Sequence, residues 1–201
     1  MPVVKESVDQ NLFRFITDTN LLRQYNFLQT AVAVALATPD FILSHDLVRE
    51  FNHYAAHYLC ENHGKYRRRG MGITNSQHSP PPSDQVEPLM EECLVYIAKN
   101  WKSATAIHLA AYALWRLNWI HPFEEGNGRT ARAVCYLILC VKLGFWLPGA
   151  NTIPQQIRDN RGPYYAALRH ADERFLKDQG IDVKQLEAYL DGLLATQLAS
   201  A

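Results

Sequence analysis

The stretch His121-Pro-Phe-Glu-Glu-Gly-Asn-Gly-Arg-Thr-Ala-Arg132 decides the reading of this chain. It separates two apolar segments. Residues 104–120 before it are rich in Ala, Leu and Trp, and residues 130–143 after it repeat apolar side chains at intervals of three and four, the period of a buried helix. A polar turn between two such helices is a costly place for a loop. This one gathers one His, two carboxylates, one Asn and two Arg within twelve residues.

The spacing carries a chemistry. Gly126 and Gly128 let the backbone take positive φ and approach a ligand closely. The helix expected to start near Arg129 or Thr130 would turn free N–H groups and the positive end of its dipole toward the loop, which makes an anion site. Arg129 and Arg132 are three apart and share a face of the first turn. Two guanidiniums beside a glycine nest suit a polyphosphate. Glu125, just outside the nest, is placed to hold a hard cation bridging phosphate oxygens. His121, whose ordinary pKa is about 6.5, can take a proton from an incoming hydroxyl. Taken singly, a Gly-x-Gly is usually a turn, an Arg pair at a helix start is usually solvated and a loop His usually has no task. Their meeting in one loop is the signal.

Composition sets the frame. The 201 residues suffice for one compact domain, and 48% hydrophobic with 20% charged residues is an ordinary globular balance. Lys plus Arg and Asp plus Glu are both 20, and a net charge of zero argues against a nucleic-acid binder with a broad basic face. Cys60, Cys93, Cys135 and Cys140 lack metal-ligand spacing and read as buried free thiols suited to a reducing cytosol. No apolar signal core opens the chain, and no run has the length of a membrane span. The expected location is therefore the cytoplasm, with no membrane partner. A secreted effector acting in a host cytosol remains compatible with the same sequence.

Along the chain, the pattern predicts a short helix over 7–20 and a second over 21–37, stopped at Thr38-Pro39. Ser44 is expected to cap a helix over 46–62 with Leu47, Phe51, Tyr54, Ala55 and Tyr58 inward, followed by a turn at Gly64. His53 and His57 have zinc spacing but no third ligand in register, so surface or aromatic packing is the reading. Residues 65–79 read as short extended pieces around the polar turn Thr74-Asn75-Ser76, which suggests a hairpin, with Pro80-Pro81-Pro82 enforcing an extended exit. A solvated loop fits those residues as well, and Arg67-Arg68-Arg69 read as a solvated charge cluster. Helices are expected over 83–100, over 104–120 capped by Ser103, over 153–160, from 164 to 175 with Pro163 at the first position, and from 182 or 183 to 198.

The loop resembles the signature of the Fic (Fido) family, His-x-Phe-x-(Asp/Glu)-Gly-Asn-Gly-Arg-x-x-Arg. His121, Phe123, Glu125, Gly126, Asn127, Gly128, Arg129 and Arg132 meet every fixed position. The resemblance implies a mainly α fold: a Fic-type helical bundle with a small β-hairpin flap over the active site. It makes residues 1–201 a single Fic domain with its core over about 64–175, the flap over about 65–79, the motif loop at 121–132, and flanking N- and C-terminal helices. It implies a protein adenylyltransferase that moves AMP from ATP to a hydroxyl of a target protein and releases pyrophosphate. His121 would be the base. Glu125 would hold Mg²⁺. Gly126, Asn127, Gly128, Arg129 and Arg132 would bind the phosphates, with Phe123 anchoring the loop in the core. Tyr165 would line the adenine side; Asp172, seven residues on, departs from the Asn the family places there. The target protein would dock on the flap as an added strand.

Many Fic domains carry an inhibitory helix with the pattern (Ser/Thr)-x-x-x-Glu-(Gly/Asn). Only Ser83…Glu87 has the spacing here, and Pro88 follows it. The expectation is a chain without that brake, constitutively active or silenced by a separate antitoxin-like partner. Alternatives are Fic-type transfer of another nucleotide or phosphate-linked group, or a non-catalytic Fic-like binding module. The kinase subgroup places Lys where Gly128 stands, which disfavours that activity.

Overall fold

The computed structural model describes residues 3–5, 9–73, 78–178 and 180–201. Among them are eight α-helices: α1 Gln10–Ala37, α2 His45–Ala56, α3 Val86–Asn100, α4 Ala106–Ile120, α5 Asn127–Leu143, α6 Ile153–Asp159, α7 Arg161–Asp178 and α8 Lys184–Leu198. The fold is mainly helical, as the periodicity requires.

The helices α4 and α5 form the centre, joined by the six residues 121–126 and packed on each other more extensively than any other pair. Ten residues of α4 and eleven of α5 are buried, so both helices are surrounded on nearly every side. Helices α1 and α2 cover one side of α5, while α3, α7 and α8 cover α4. The core runs unbroken from Leu28 and Phe51 through Met90, Leu114, Trp115 and Ile138 to Leu186 and Leu190. Cys93, Cys135 and Cys140 are buried free thiols within it, and Cys60 is half-buried.

Several boundaries differ from the sequence expectation, each for a local reason. The first two expected helices are one. The Thr17 and Thr19 hydroxyls donate back to the Phe13 and Phe15 carbonyls at 2.8 and 2.9 Å, so these polar side chains are satisfied within the helix. Asn20 of that run is fully buried and donates to the His57 carbonyl at 2.6 Å. The expected starting residue Ser7 lies outside the described residues; Asp9 is the cap, accepting from the Leu12 N–H at 2.9 Å.

Helix α2 stops at Ala56, because Tyr58 takes a left-handed φ of 61° and the Leu59 and Cys60 amides fold back onto the Ala56 carbonyl. Its buried face is Val48, Phe51, Asn52, Ala55 and Ala56, with Leu47, Tyr54 and Tyr58 only half-buried. Thr105 caps α4 in place of Ser103, its hydroxyl accepting from the His108 N–H at 3.0 Å. Helix α3 is preceded by a 3₁₀ turn, Ser83–Gln85. Beside the histidine pair, for which no third ligand was expected, His63 Nδ1 lies 3.0 Å from His53 Nδ1, and among the described residues no group of three or more His, Cys, Asp or Glu is arranged to hold a metal ion.

Segment 65–79 forms no strand among its described residues, and its expected turn at Thr74-Asn75-Ser76 lies outside them. Its first half is nonetheless fixed. Tyr66 packs on Phe123 with ring centroids 5.4 Å apart and donates or accepts at His45 Nδ1 over 2.7 Å. No helix is long and apolar enough to cross a membrane among the described residues.

The central pair should dominate stability. Leu114→Ala, at a position with no solvent exposure, is expected to cost about 2–5 kcal/mol in urea unfolding. Phe15→Ala on the exposed side of α1, 67% exposed, should stay within about 0.5 kcal/mol.

Candidate active site

The loop between α4 and α5 begins with a backbone constraint. His121 caps α4 in the left-handed region, φ 50° and ψ 60°, which costs an L-residue about 1–2 kcal/mol unless neighbours hold it. The loop ends at Gly126, also left-handed at φ 79°. A side chain there would press on Ala55 Cβ and Asn52 Nδ2, both 3.2 Å from the position of a Cβ, so this glycine is needed for space as well as for φ.

Between these ends the loop is closed on itself. The Asn127 amide accepts from the Phe123 N–H at 2.9 Å and donates to the Phe123 carbonyl at 2.8 Å. Both of its polar atoms are thereby engaged, and Asn127 is 4% exposed. The Asn127 side chain thus shapes the loop. Phe123 points into the core, 1% exposed.

Helix α5 starts at Asn127, two or three residues earlier than the pattern suggests. Gly128 is therefore helical. Its missing side chain makes room for Arg132, whose Nη1 lies 3.3 Å from where a Cβ would stand.

Asn52 of α2, which the sequence reading passed over, supports the loop from behind. Its Nδ2 donates to the Glu125 carbonyl at 2.8 Å and to the Thr130 hydroxyl at 3.3 Å, and its Oδ1 accepts from the Gly64 N–H at 2.9 Å. A buried Asn in an otherwise apolar helix face was the available signal.

The front of the loop opens on a cleft of about 1200 Å³. His121, Glu125, Gly126, Gly128, Arg129, Arg132 and Tyr165 all line it, together with the backbone of Asn127. Arg14, Thr17, Asp18 and Leu21 of α1 form a second wall, Met71, Gly72 and Ile73 a third, and Arg158 and Arg161 join Tyr165 on the far side. Three of the five guanidiniums on the cleft thus come from outside the motif. Asp172 is elsewhere: it accepts from Trp115 Nε1 at 2.8 Å, while Tyr165 is 46% exposed toward the cleft.

Charge inside the cleft is partly matched. Glu125 Oε1 accepts from the Gly126 N–H and from Arg129 Nη2, both at 2.8 Å. Its Oε2 has no partner among the described residues. Arg129 Nη1 is buried with no hydrogen-bond partner among the described residues. A buried guanidinium nitrogen without an acceptor is costly, and an anion in the cleft would relieve it. Arg132 pairs with no carboxylate among the described residues. Glu87, the only Glu at the inhibitory spacing, lies 3.6 Å from Arg49 on the opposite side of segment 65–79. Helix α1, which walls the cleft, contains no Glu.

Burial pushes the His121 imidazole down to about 4, the Asn118 carbonyl pulls it the other way, and the Arg67 guanidinium and His78 lower it further. The ring is thus neutral at physiological pH and already able to accept a proton. Its Nδ1 is buried without a hydrogen bond of normal geometry, which leaves Nε2 as the nitrogen open to the cleft.

Comparison with known proteins places this arrangement. The Fic/DOC family model matches residues 42–139. A protein adenylyltransferase Fic from Drosophila persimilis is 32% identical over 135 residues, which is 63% of this chain and 24% of the relative. A probable protein adenylyltransferase from Aquifex aeolicus is 27% identical over 183 residues, 85% of this chain and 51% of the relative. The chain therefore spans between a quarter and a half of the length of these curated relatives. Among solved structures, a Fic domain containing signaling protein from Bacteroides thetaiotaomicron superposes with a TM-score of 0.72 at 20% identity, covering 91% of this chain and 71% of that one. A Fic family protein from Desulfovibrio desulfuricans gives 0.69 at 24% identity, covering 89% and 51%. Those two likenesses concern the fold.

Two outcomes test the geometry. Asn52→Ala strips partners from the Glu125 carbonyl and the Gly64 amide and should lower unfolding free energy by about 2 kcal/mol or more. In a histidine-labelled sample followed by NMR, the His121 ring should remain neutral down to about pH 5 and titrate near 4. The unfolded chain protonates that ring at about 6.5. Its contribution to stability is therefore complete above that pH and is lost as pH falls toward 4.

Proposed function

The chain belongs to the Fic/DOC family through residues 42–139, and from that premise we propose that it is a protein adenylyltransferase. It transfers AMP from ATP to a Ser, Thr or Tyr hydroxyl of a target protein and releases pyrophosphate. The observation that carries this reading is the buried, partnerless Arg129 Nη1 beside Arg132, on a cleft that also holds a neutral histidine.

In this reaction Arg129 and Arg132 grip the outer phosphates, and the backbone amides at the start of α5 face the anion. Arg14, Arg158 and Arg161 add positive charge around the same cleft. Together they fix the α-phosphorus in line with the incoming hydroxyl, so that much of the entropic barrier is met on binding. His121 Nε2 takes the hydroxyl proton as the new P–O bond forms and the bond to pyrophosphate breaks. The developing charge on the phosphoryl oxygens is met by the amide N–H groups, with Asn127 acting through the loop it closes.

Mg²⁺ fits the residues present. Glu125 offers one unengaged carboxylate oxygen toward the cleft, and a magnesium ion bound by one carboxylate and substrate phosphates needs no larger protein cage. When bound, the ion would neutralise charge on the phosphates. The target protein would dock along segment 65–79, whose residues 71–73 border the cleft. As in the sequence expectation, the chain would be either constitutively active or silenced by a separate antitoxin-like partner. The proposed site of action is the cytoplasm, of the producing cell or of a host.

The test uses the purified chain with a cell lysate and ATP, GTP, UTP or CTP labelled on the α-phosphate, beside γ-labelled ATP. Label should pass to protein from α-labelled ATP and not from γ-labelled ATP. His121→Ala should lower transfer by roughly 10³-fold or more while ATP binding persists. Label passing from another nucleotide in preference would assign a different donor, and full transfer by His121→Ala would remove the base. Glu87→Gly should leave self-modification unchanged; a large rise would restore an internal brake.

A further inference from the structure

The C-terminal end of α4 has an unusual set of caps. The last carbonyls of a helix have no partner within it. Here four successive carbonyls, from Trp119 to Pro122, are each met by segment 65–79. His78 Nε2 lies 2.7 Å from the Trp119 carbonyl. Arg67 Nη2 donates to the Ile120 carbonyl at 3.3 Å, and Arg67 Nε to the His121 carbonyl at 2.8 Å. The Arg67 backbone N–H donates to the Pro122 carbonyl at 2.8 Å.

The remaining Arg67 bonds run to its own segment and to the proline exit after it, Nη1 to the Arg69 carbonyl at 3.1 Å and Nη2 to the Pro81 carbonyl at 2.6 Å. Arg67 is 2% exposed and meets no carboxylate among the described residues; its acceptors there are main-chain oxygens. Burying a guanidinium without a counter-charge is expensive. The negative end of the α4 dipole compensates part of that cost. A neutral side chain could have stapled the segment more cheaply.

What a cation with a rigid fork adds is control of the one residue it brackets. His121 sits in the left-handed region, a conformation that persists only where the surroundings over-determine it. Its amide is held by the Leu117 carbonyl at 3.0 Å from inside the helix. Its carbonyl is held by Arg67, and the carbonyls on either side by Arg67 as well. With both flanking peptides pinned, the direction in which the His121 side chain leaves the backbone is set.

We propose that Arg67 is the positioning residue of the base: its buried fork grips the Ile120 and His121 carbonyls and so aims the His121 ring at the cleft. This rests on the reading of His121 as base in AMP transfer. It also makes the docking segment and the base one mechanical unit, because the same residue anchors 65–69 and orients His121. A merely structural Arg67 would hold segment 65–79 and leave the ring's behaviour unchanged.

The experiment compares the full chain with Arg67→Gln and Arg67→Lys, reading transfer kinetics, ATP binding by calorimetry and the His121 titration by NMR. The charged or titratable groups that act on the ring or share its cleft are Arg67, His78, Arg14, Asp18, Glu124, Glu125, Arg129, Arg132, Arg158, Arg161 and Tyr165. Only the first is altered. In Arg67→Gln, kcat should fall roughly 100-fold, as a misplaced reacting group does. The ATP dissociation constant should stay within about two-fold, and the ring should titrate somewhat higher once the nearby cation is gone, burial remaining the larger cause of its low value. A folded Arg67→Gln with wild-type kcat and an unmoved titration overturns the proposal. If that variant does not fold, Arg67→Lys decides. Loss of kcat with the titration still low supports the fork, and wild-type kcat overturns it. Should the wild-type chain transfer no nucleotide, the functional reading fails by itself. In Arg67→Lys, which keeps the charge and removes the fork, a His121 ring whose NMR contacts change still tells a positioned ring from an indifferent one, and unchanged contacts overturn the proposal.

Discussion

The reversal between α4 and α5 must be made inside the protein, and that constraint shapes the rest. Both helices are enclosed, so the six residues joining them turn where little water can reach their amides and carbonyls. Each buried polar group then needs a protein partner. The partners come from three directions. Asn127 closes the loop on Phe123, Asn52 reaches in from α2 to the Glu125 carbonyl, and Arg67 with His78 reaches in from segment 65–79 to the end of α4. The remote helices are thus arranged partly as suppliers of hydrogen bonds to one loop.

That demand divides the signature residues into two groups. Phe123, Gly126 and Asn127 are absorbed by the turn: one fills the core, one takes a conformation and a space that a side chain would not fit, and one bonds the loop to itself. His121, Glu125, Arg129 and Arg132 keep their functional ends toward the cleft. Gly128 belongs to neither group, since it is helical and serves by leaving room for Arg132. A tightly determined loop presents its chemical groups at fixed positions, which is the condition for pre-organised electrostatics.

A chain of zero net charge nonetheless gathers five guanidiniums on one cleft. Only two of them are in the signature. Arg14 arrives on α1, while Arg158 and Arg161 arrive around the junction of α6 and α7, so the positive surface is assembled from three parts of the chain. Arg129 Nη1 is buried without a hydrogen-bond partner among the described residues. Burial also lowers the pKa of the His121 ring and holds it neutral. One physical cause thus acts on both groups to which the proposed reaction gives the phosphate and the proton.

The amino-acid sequence by itself determined the helical class, the position of the loop and the residues on it that bear charge. These are local properties: apolar periodicity, glycine placement and side-chain identity can be read without knowing what lies nearby in space. It did not reveal that 10–37 is one helix, because Asn20 becomes acceptable in a helix only once α2 offers it a carbonyl. It assigned Arg67 to a solvated cluster for the same reason. What a polar side chain does is fixed by which partners surround it, and those partners lie 54 residues away for Arg67 and 73 for Asn52. The tertiary structure alone decided which polar groups build the loop and which remain for chemistry, since only the packed fold says which of them are cut off from water.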